Sequence, residues 1–459
     1  MDLDGVMLAR IQFAFTVAFH IIFPTFTIGL SAWIATLEGL WLRTGHEHYH
    51  LLARYWTKIF AVSFAMGVVS GIVMSYQFGT NWSRFSEIVG NVVSPLIGYE
   101  VLTAFFLEAT FLGIMLFGWN RVPPWLHFLS SIAVAVGTLM SAFWILSANS
   151  WMQFPAGHEI RDGIVYPKDW LAVVFNPTFP LRLAHMVIAA YLTTAIVILA
   201  VGARYLMQAR HQEYARTMMR MGLGLALVLA PLQLVVGDMH GLDTATYQPA
   251  KLAAIEAHWD GSKPADLVLF ALPDEEAETN RFEVSIPNGA SLLITHQWDG
   301  LFKGLKDFAK EDRPPVLIPF FGFRLMVGIG LWLIALVLVG GFLWWRGGLF
   351  ENRTYLRLAW WSWPLGFVAL LAGWFTTEVG RQPWVATGIL RTVDATSPVP
   401  GGSVGVTLAL FVLVYGVVFS AGIVYINRLI RRGPPERAPE VGQEGTGGRP
   451  LSAALQPGE

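Results

Sequence analysis

The chain has 459 residues, 54% of them hydrophobic and 14% charged, with a mean hydropathy of +0.51. A soluble domain carries about 25% charged residues, so this composition belongs to an integral membrane protein, and a formal net charge of −1 argues against nucleic acid as a partner. With zero Cys there is no disulfide, no thiolate-held iron–sulfur cluster and no c-type haem attachment, so any metal must rest on His, Met or carboxylate.

In chain order, Met1 to Arg10 opens acidic and the apolar run behind it is too long for a signal-peptide core, so no cleavable leader is expected. A membrane helix needs about 20 mostly apolar residues. That criterion predicts nine spans, near 12–40, 56–78, 94–118, 125–148, 181–204, 217–237, 317–345, 358–378 and 403–427. The fold class is therefore all-α, an integral membrane bundle. Basic residues concentrate in alternate connections: Arg43, Arg54 and Lys58; Arg204, Arg210, Arg216 and Arg220; Arg346, Arg353 and Arg357; and, after the last span, Arg428, Arg431, Arg432 and Arg437. Positive connections stay inside, which puts the N-terminus outside and the C-terminus in the cytoplasm.

The chain divides accordingly into spans one to six (1–237), a long outer loop (238–316), spans seven to nine (317–430) and a tail (431–459) rich in Pro, Gly and Glu, expected to be disordered. The loop carries Leu269, Phe270, Phe282, Ile286 and Trp298, so partial folding is expected. No internal repeat is visible, which gives an inverted-repeat transporter no support.

His20, His185, Met326, Glu100, Glu108 and Glu378 lie in or at the ends of the spans. Ionisable groups in a bilayer are costly and are functional candidates by default. Counted at about 1.5 Å per residue, all six fall towards the outer side, on five helices, and one compact cofactor zone explains that shared level. Each has a plainer reading alone: His185 as an interfacial histidine, Met326 as packing, Glu378 as a partner of Arg381 one turn on. Glu100 and Glu108 are harder to dismiss, since two carboxylates in one span cost several kcal/mol unless neutral, paired or hydrated. Eight residues apart, they fall within a quarter turn on one face, suited to a proton relay. A His and a Met facing each other would make a six-coordinate haem that transfers electrons, whereas a weak axial ligand leaves a haem open to oxygen.

Longer motifs resemble one family. They are Gln77-Phe-Gly-Thr-Asn-Trp-Ser83, Phe105-Phe-Leu-Glu-Ala-Thr-Phe111, Ala148-Asn-Ser-Trp-Met-Gln153, Lys251-Leu-Ala-Ala-Ile-Glu256, Gly373-Trp-Phe375 and Gly380-Arg-Gln-Pro-Trp384. In this order the chain resembles subunit I of cytochrome bd-type quinol oxidase up to about residue 430. The resemblance implies that His185 and Met326 are the axial pair of a low-spin haem b, with Arg324 beside it. It implies that His20 and Glu378 are ligands of the two active-site haems, a high-spin haem b and haem d, and leaves open which takes which. It gives Glu100 and Glu108 a part in proton delivery, and Lys251 and Glu256, with Asp238 as a weaker candidate, a part in binding quinol. Trp374 and Arg381 become neighbours of the haems.

The long-loop branch of that family carries a large insertion that this chain lacks, so the chain resembles the short-loop branch, which includes cyanide-insensitive oxidases. Some of its members carry a third haem b in place of haem d. The implied function is a terminal respiratory oxidase of the bacterial inner membrane. It oxidises ubiquinol or menaquinol outside, reduces O2 to water and generates proton-motive force without pumping. The implied partners are a second membrane subunit and a small single-span subunit. Two rivals stand beside it: a proton-coupled transporter, and a quinol-oxidising cytochrome b without oxygen chemistry.

Overall fold

In a computed structural model that describes residues 4–435, the apolar runs become nine helices long enough to cross a membrane. Eight are longer than their apolar stretches, because backbone hydrogen bonding continues past the hydrocarbon boundary into polar residues; the seventh keeps its predicted bounds, Leu317–Trp345. Asp4 caps the first, α1 (Gly5–Thr44), accepting from the Val6 and Met7 amides at 3.0 and 3.2 Å. Gly45 ends it in the left-handed conformation (φ 73°), and the next helix, α2 (Glu47–Thr80), starts after one further residue, which makes α1 and α2 a tight hairpin.

The third span is composite. Helix α3 (Ser83–Glu100) runs through a π-helical turn (Val101–Phe105) into α4 (Phe106–Phe117). Next come α5 (Pro124–Gln153), a hairpin of β1 (His158–Arg161) and β2 (Ile164–Pro167), and the short α6 (Trp170–Val174). Helices α7 (Phe179–Met207) and α8 (Gln212–Tyr247) form a second tight pair.

The long loop is folded, as its apolar residues predicted. It holds α9 (Pro249–Glu256), an antiparallel pair of β3 (Leu267–Asp274) and β4 (Thr279–Ile286), and α10 (Gly289–Thr295). It also begins later than its polarity suggested. Helix α8 continues through Asp238 to Tyr247, so Asp238 is helical and exposed. The chain re-enters the bundle as α11 (Leu317–Trp345). The eighth span is broken into α12 (Arg353–Trp361) and α13 (Leu365–Val379), and β5 (Trp384–Ala386), β6 (Leu390–Arg391) and α14 (Gly401–Arg432) close the fold. Arg431 and Arg432, assigned to the tail from sequence, still belong to α14, and the tail from 436 on lies outside the described residues.

Helix α7 is the axis of the bundle. Its apolar window is 72% buried, against 11% for α14, so α7 is wrapped by protein while α14 presents its sides outward. The α7–α8 approach depends on glycine: a Cβ on Gly222 would stand 2.9 Å from the Ala195 carbonyl, and one on Gly202 2.9 Å from that of Ala215. These neighbours are backbone and cannot swing aside. Gly222→Val should therefore destabilise the bundle by about 1–3 kcal/mol through overpacking, read as a lower thermal midpoint of the purified protein in detergent.

Candidate functional site

The Gln77–Ser83 motif ties the turn between α2 and α3 to its neighbours. Gln77 donates to Thr16 Oγ1 at 2.7 Å, Asn81 donates to Gln12 Oε1 at 2.7 Å, and the Ser83 amide donates to Ser397 Oγ at 2.8 Å. It is therefore scaffold, joining α1, α2, α3 and the segment before α14. Above it on α1, His20 places Nδ1 3.0 Å from Ser70 Oγ, and Gly71 leaves open the space beside its ring, where a Cβ would come 3.1 Å from Cε1.

His185, on α7, faces α8. Gln233 reaches both ring nitrogens at 3.2 Å, Gly237 lies beside the ring, and the His240 ring lies 5.6 Å away. His240 has a buried ring nitrogen, Nε2, with no hydrogen-bond partner, and nothing in the sequence pattern distinguished it. Met326 lies in α11 against α13, where a Cβ on Gly373 would meet its sulfur at 2.7 Å. Gly373 of the Gly373–Phe375 motif is thus the space the Met326 side chain occupies. Trp374, beside it, is half-buried and packs edge-on against Phe375.

Glu100 and Glu108 both lean on α5. Ser141 donates to Glu100 Oε1 at 2.8 Å, and Glu108, 6% exposed, lies where a Cβ on Gly137 would be 2.6 Å from its Cγ. The π-helical turn between them explains the alignment. A π-bulge absorbs one extra residue, so eight residues carry the angular advance of seven, within roughly 20° of two full turns. The two carboxylates therefore share a face more closely than the quarter turn expected of a regular helix. Glu108 also lies deeper than its apolar window suggested. Helix α3 starts at Ser83, not near 94, and Gly137 marks the middle of α5, so Glu108 stands at mid-height in the bundle.

Further along α5 is a buried pair that sequence inspection missed. Glu38 is 1% exposed; its Oε1 accepts from Ser131 at 2.7 Å and its Oε2 is 2.9 Å from His127 Nδ1. The His127 ring lies tilted against Trp119 with centroids 3.9 Å apart, and Trp119 in turn meets His50 edge-on at 5.2 Å. The α-helical spacing of Glu38 and Ser31 on α1, and of Ser131 and Thr138 on α5, was the available signal. It was masked by the strongly apolar residues between them, such as Ile34 and Val134.

The densest cluster lies where the long loop meets the bundle. Glu378, near the end of α13, pairs with Arg381 and accepts on Oε1 from Asn149 (2.9 Å) and Gln153 (3.2 Å). Gln153 Oε1 accepts from Lys251 Nζ and from Gln248 Nε2, the latter at 3.0 Å. Gln248 Oε1 accepts from Lys251 at 2.8 Å and from Arg182 at 3.2 Å. Gly380 admits the Lys251 stem, since a Cβ there would meet its Cγ at 3.0 Å. Burial, with Arg182 close by, pushes the Lys251 ammonium well below the usual lysine range.

Glu256, at the other end of α9, is buried and paired with Arg324 at 2.7 Å. Arg324 also donates to the Val268 and Ile255 carbonyls at 2.9 and 3.3 Å and packs over Phe320. Arg324, expected beside a haem, is thus the clamp that holds the loop to α11. Asp238 is exposed and takes no part in this network.

Haem fits these residues. Two guanidiniums and a lysine converge on Glu378, with Asp243 near Arg182, and Arg381 Nε and NH1 and Arg182 Nε are buried without partners. Unpaired buried donors of this kind are costly, and the acidic propionate edge of a haem is the chemistry that would satisfy them. Together the apolar bundle, its buried His, Met and Glu side chains and this cationic pocket define a membrane cytochrome.

The family is then shown by comparison. The chain matches cytochrome bd terminal oxidase subunit I over residues 8–434. It is 36% identical to cytochrome bd ubiquinol oxidase subunit 1 of Bacillus subtilis, over 94% of each chain. It is 33% identical to cytochrome bd-II ubiquinol oxidase subunit 1 of Escherichia coli, over 94% of this chain and 97% of that one. The solved bd oxidase from Geobacillus thermodenitrificans superposes with a TM-score of 0.87 at 33% identity, covering 94% of this chain and all of its own. The chain belongs to the cytochrome bd oxidase subunit I family. It is a multi-pass subunit of a bacterial quinol:oxygen oxidoreductase that works with haem and with a second subunit, and the transporter and oxygen-free cytochrome readings fall.

Because Arg324 clamps α9, Arg324→Met should leave Glu256 buried and unpaired, at a local cost on the order of 3 kcal/mol. Hydrogen exchange over 249–256 should then quicken while α7 stays protected.

Proposed function

We infer that the network joining Lys251 to Glu378 marks where quinol oxidation meets oxygen reduction, and this is the observation that carries the reading. Quinol binds against α9, with Lys251 and Glu256 as partners of its hydroxyl groups. Two quinols give up four electrons and four protons, which with four protons taken up elsewhere account for one O2 becoming two waters and four protons released. Haem supplies electron transfer and oxygen chemistry when bound: a low-spin haem b on His185 and Met326, and two active-site haems, a high-spin haem b and haem d or a third haem b, on His20 and Glu378.

The chain's own side chains handle the protons. Glu256 accepts from the quinol and passes its proton to the outer face. Orientation supports this, since the basic connections lie at the opposite end of the bundle from the loop. Arg182 and Arg381 neutralise carboxylates on that side. Inward of the active site, Glu100 and Glu108 on one face of α3–α4 hold protons for delivery, and Ser141 orients Glu100. Release outside and uptake from inside separate charge without a pump. Exposed apolar side chains on α14, among them Leu413 and Val417, leave surface for lipid, the second subunit or a small single-span subunit.

The test is the absorption spectrum of the purified complex, reduced with and without carbon monoxide. A colourless protein or a carbon monoxide-insensitive spectrum overturns the reading. His185→Ala and Met326→Ala should each abolish the low-spin haem band while a carbon monoxide response persists; a retained band rejects that ligand. Glu108→Ala should preserve haem content and slow oxygen consumption by about 10²-fold or more, the scale of a lost proton-transfer group. Unchanged turnover removes Glu108 from the relay.

A further inference from the structure

Two side chains of the Ala148–Gln153 motif are given no role of their own above, yet both converge on Glu378. Asn149 and Gln153 stand one turn apart at the end of α5 and donate to the same carboxylate oxygen, Oε1, while Oε2 faces Arg381. Two amide donors on one oxygen and a guanidinium on the other hold the carboxyl group in one orientation.

Gln153 differs from Asn149 in what its other end touches. It is fully buried, and its side-chain carbonyl accepts from Lys251 and Gln248. Its backbone carbonyl accepts from Gln248 Nε2 at 2.9 Å, which fixes Gln248 to the same turn. The sequence Lys251 N–H to Gln153 carbonyl, then Gln153 N–H to Glu378 carboxylate, runs donor to acceptor in one direction. Hydrogen bonds in such a chain polarise one another, so a change at one end is felt at the other.

We propose that Gln153 is a positioning residue that couples the quinol pocket to the oxygen-reducing site. The proposal rests on the reading of Lys251 as a quinol partner and Glu378 as a haem ligand. Quinol that engages Lys251 draws a donor away from the Gln153 carbonyl, loosens the amide's hold on Glu378 and alters the strength of that ligand. Asn149 keeps the carboxylate in place meanwhile. By reciprocity, whatever occupies the oxygen site changes the affinity for quinol.

The experiment uses the complete purified complex and a non-oxidisable quinone analogue as probe. Its affinity is measured by titration with the oxygen site free and with it blocked by carbon monoxide. The wild-type affinities should differ by roughly fivefold or more, the lower range of such couplings. Gln153→Leu should weaken analogue binding and bring that ratio to about one. Gln153→Glu keeps an acceptor for Lys251 but faces Glu378 with an oxygen, so it should hold analogue affinity near wild type and still abolish the ratio. Asn149→Leu should shift the carbon monoxide spectrum and retain the ratio. A ratio near one in wild type, or one preserved in either Gln153 variant, overturns the proposal. If Gln153→Leu does not assemble, Gln153→Glu decides alone. None of those results touches the oxidase reading, which fails only if the wild-type complex is colourless or blind to carbon monoxide.

Discussion

The low dielectric of the bundle interior governs this protein: a charge there must be paired or neutralised. Glu378 meets that requirement through Arg381 and the amides of Asn149 and Gln153, and Lys251 and Arg182 draw on Gln153 and Gln248, while Arg381 and Arg182 keep unpaired nitrogens. The long loop is held against the membrane helices by the same necessity. Lys251 must find acceptors inside the bundle, and Glu256 must find Arg324. Docking of the long loop and assembly of the Glu378 cluster are therefore one event.

Packing serves the same end. Gly71, Gly373 and Gly380 each stand where a neighbouring side chain needs room, next to His20, Met326 and Lys251 respectively. Gly202 and Gly222 bring α7 and α8 together so that His185 and His240 face one another across the seam. The π-helical turn does for α3–α4 what glycine does elsewhere: it changes local geometry so that Glu100 and Glu108 both meet α5.

Much of the site was legible because membranes make polar residues conspicuous. His20, His185, Met326, Glu100, Glu108 and Glu378 stood out from the apolar runs, and Lys251 and Glu256 from their motif. Glu38 and His127 did not, since the apolar residues around them masked the pattern until folding brought the two within 2.9 Å. Arg324, which the resemblance implies lies beside a haem, makes hydrogen bonds to the loop that no local pattern signals. Asp238 looked like the first residue of a loop because it is polar, but helical hydrogen bonding continues past it.

What the sequence determined by itself was the class of protein, the nine spans and the kind of chemistry. Those follow from length, hydropathy and residue type, which act locally along the chain. Tertiary structure alone decided the partners: which oxygen of Glu378 each amide takes, that Gln153 touches both Lys251 and Glu378, and that Arg381 keeps two nitrogens unpaired. Hydrogen bonds between residues some hundred or more positions apart depend on helix register and crossing, and no local pattern encodes them.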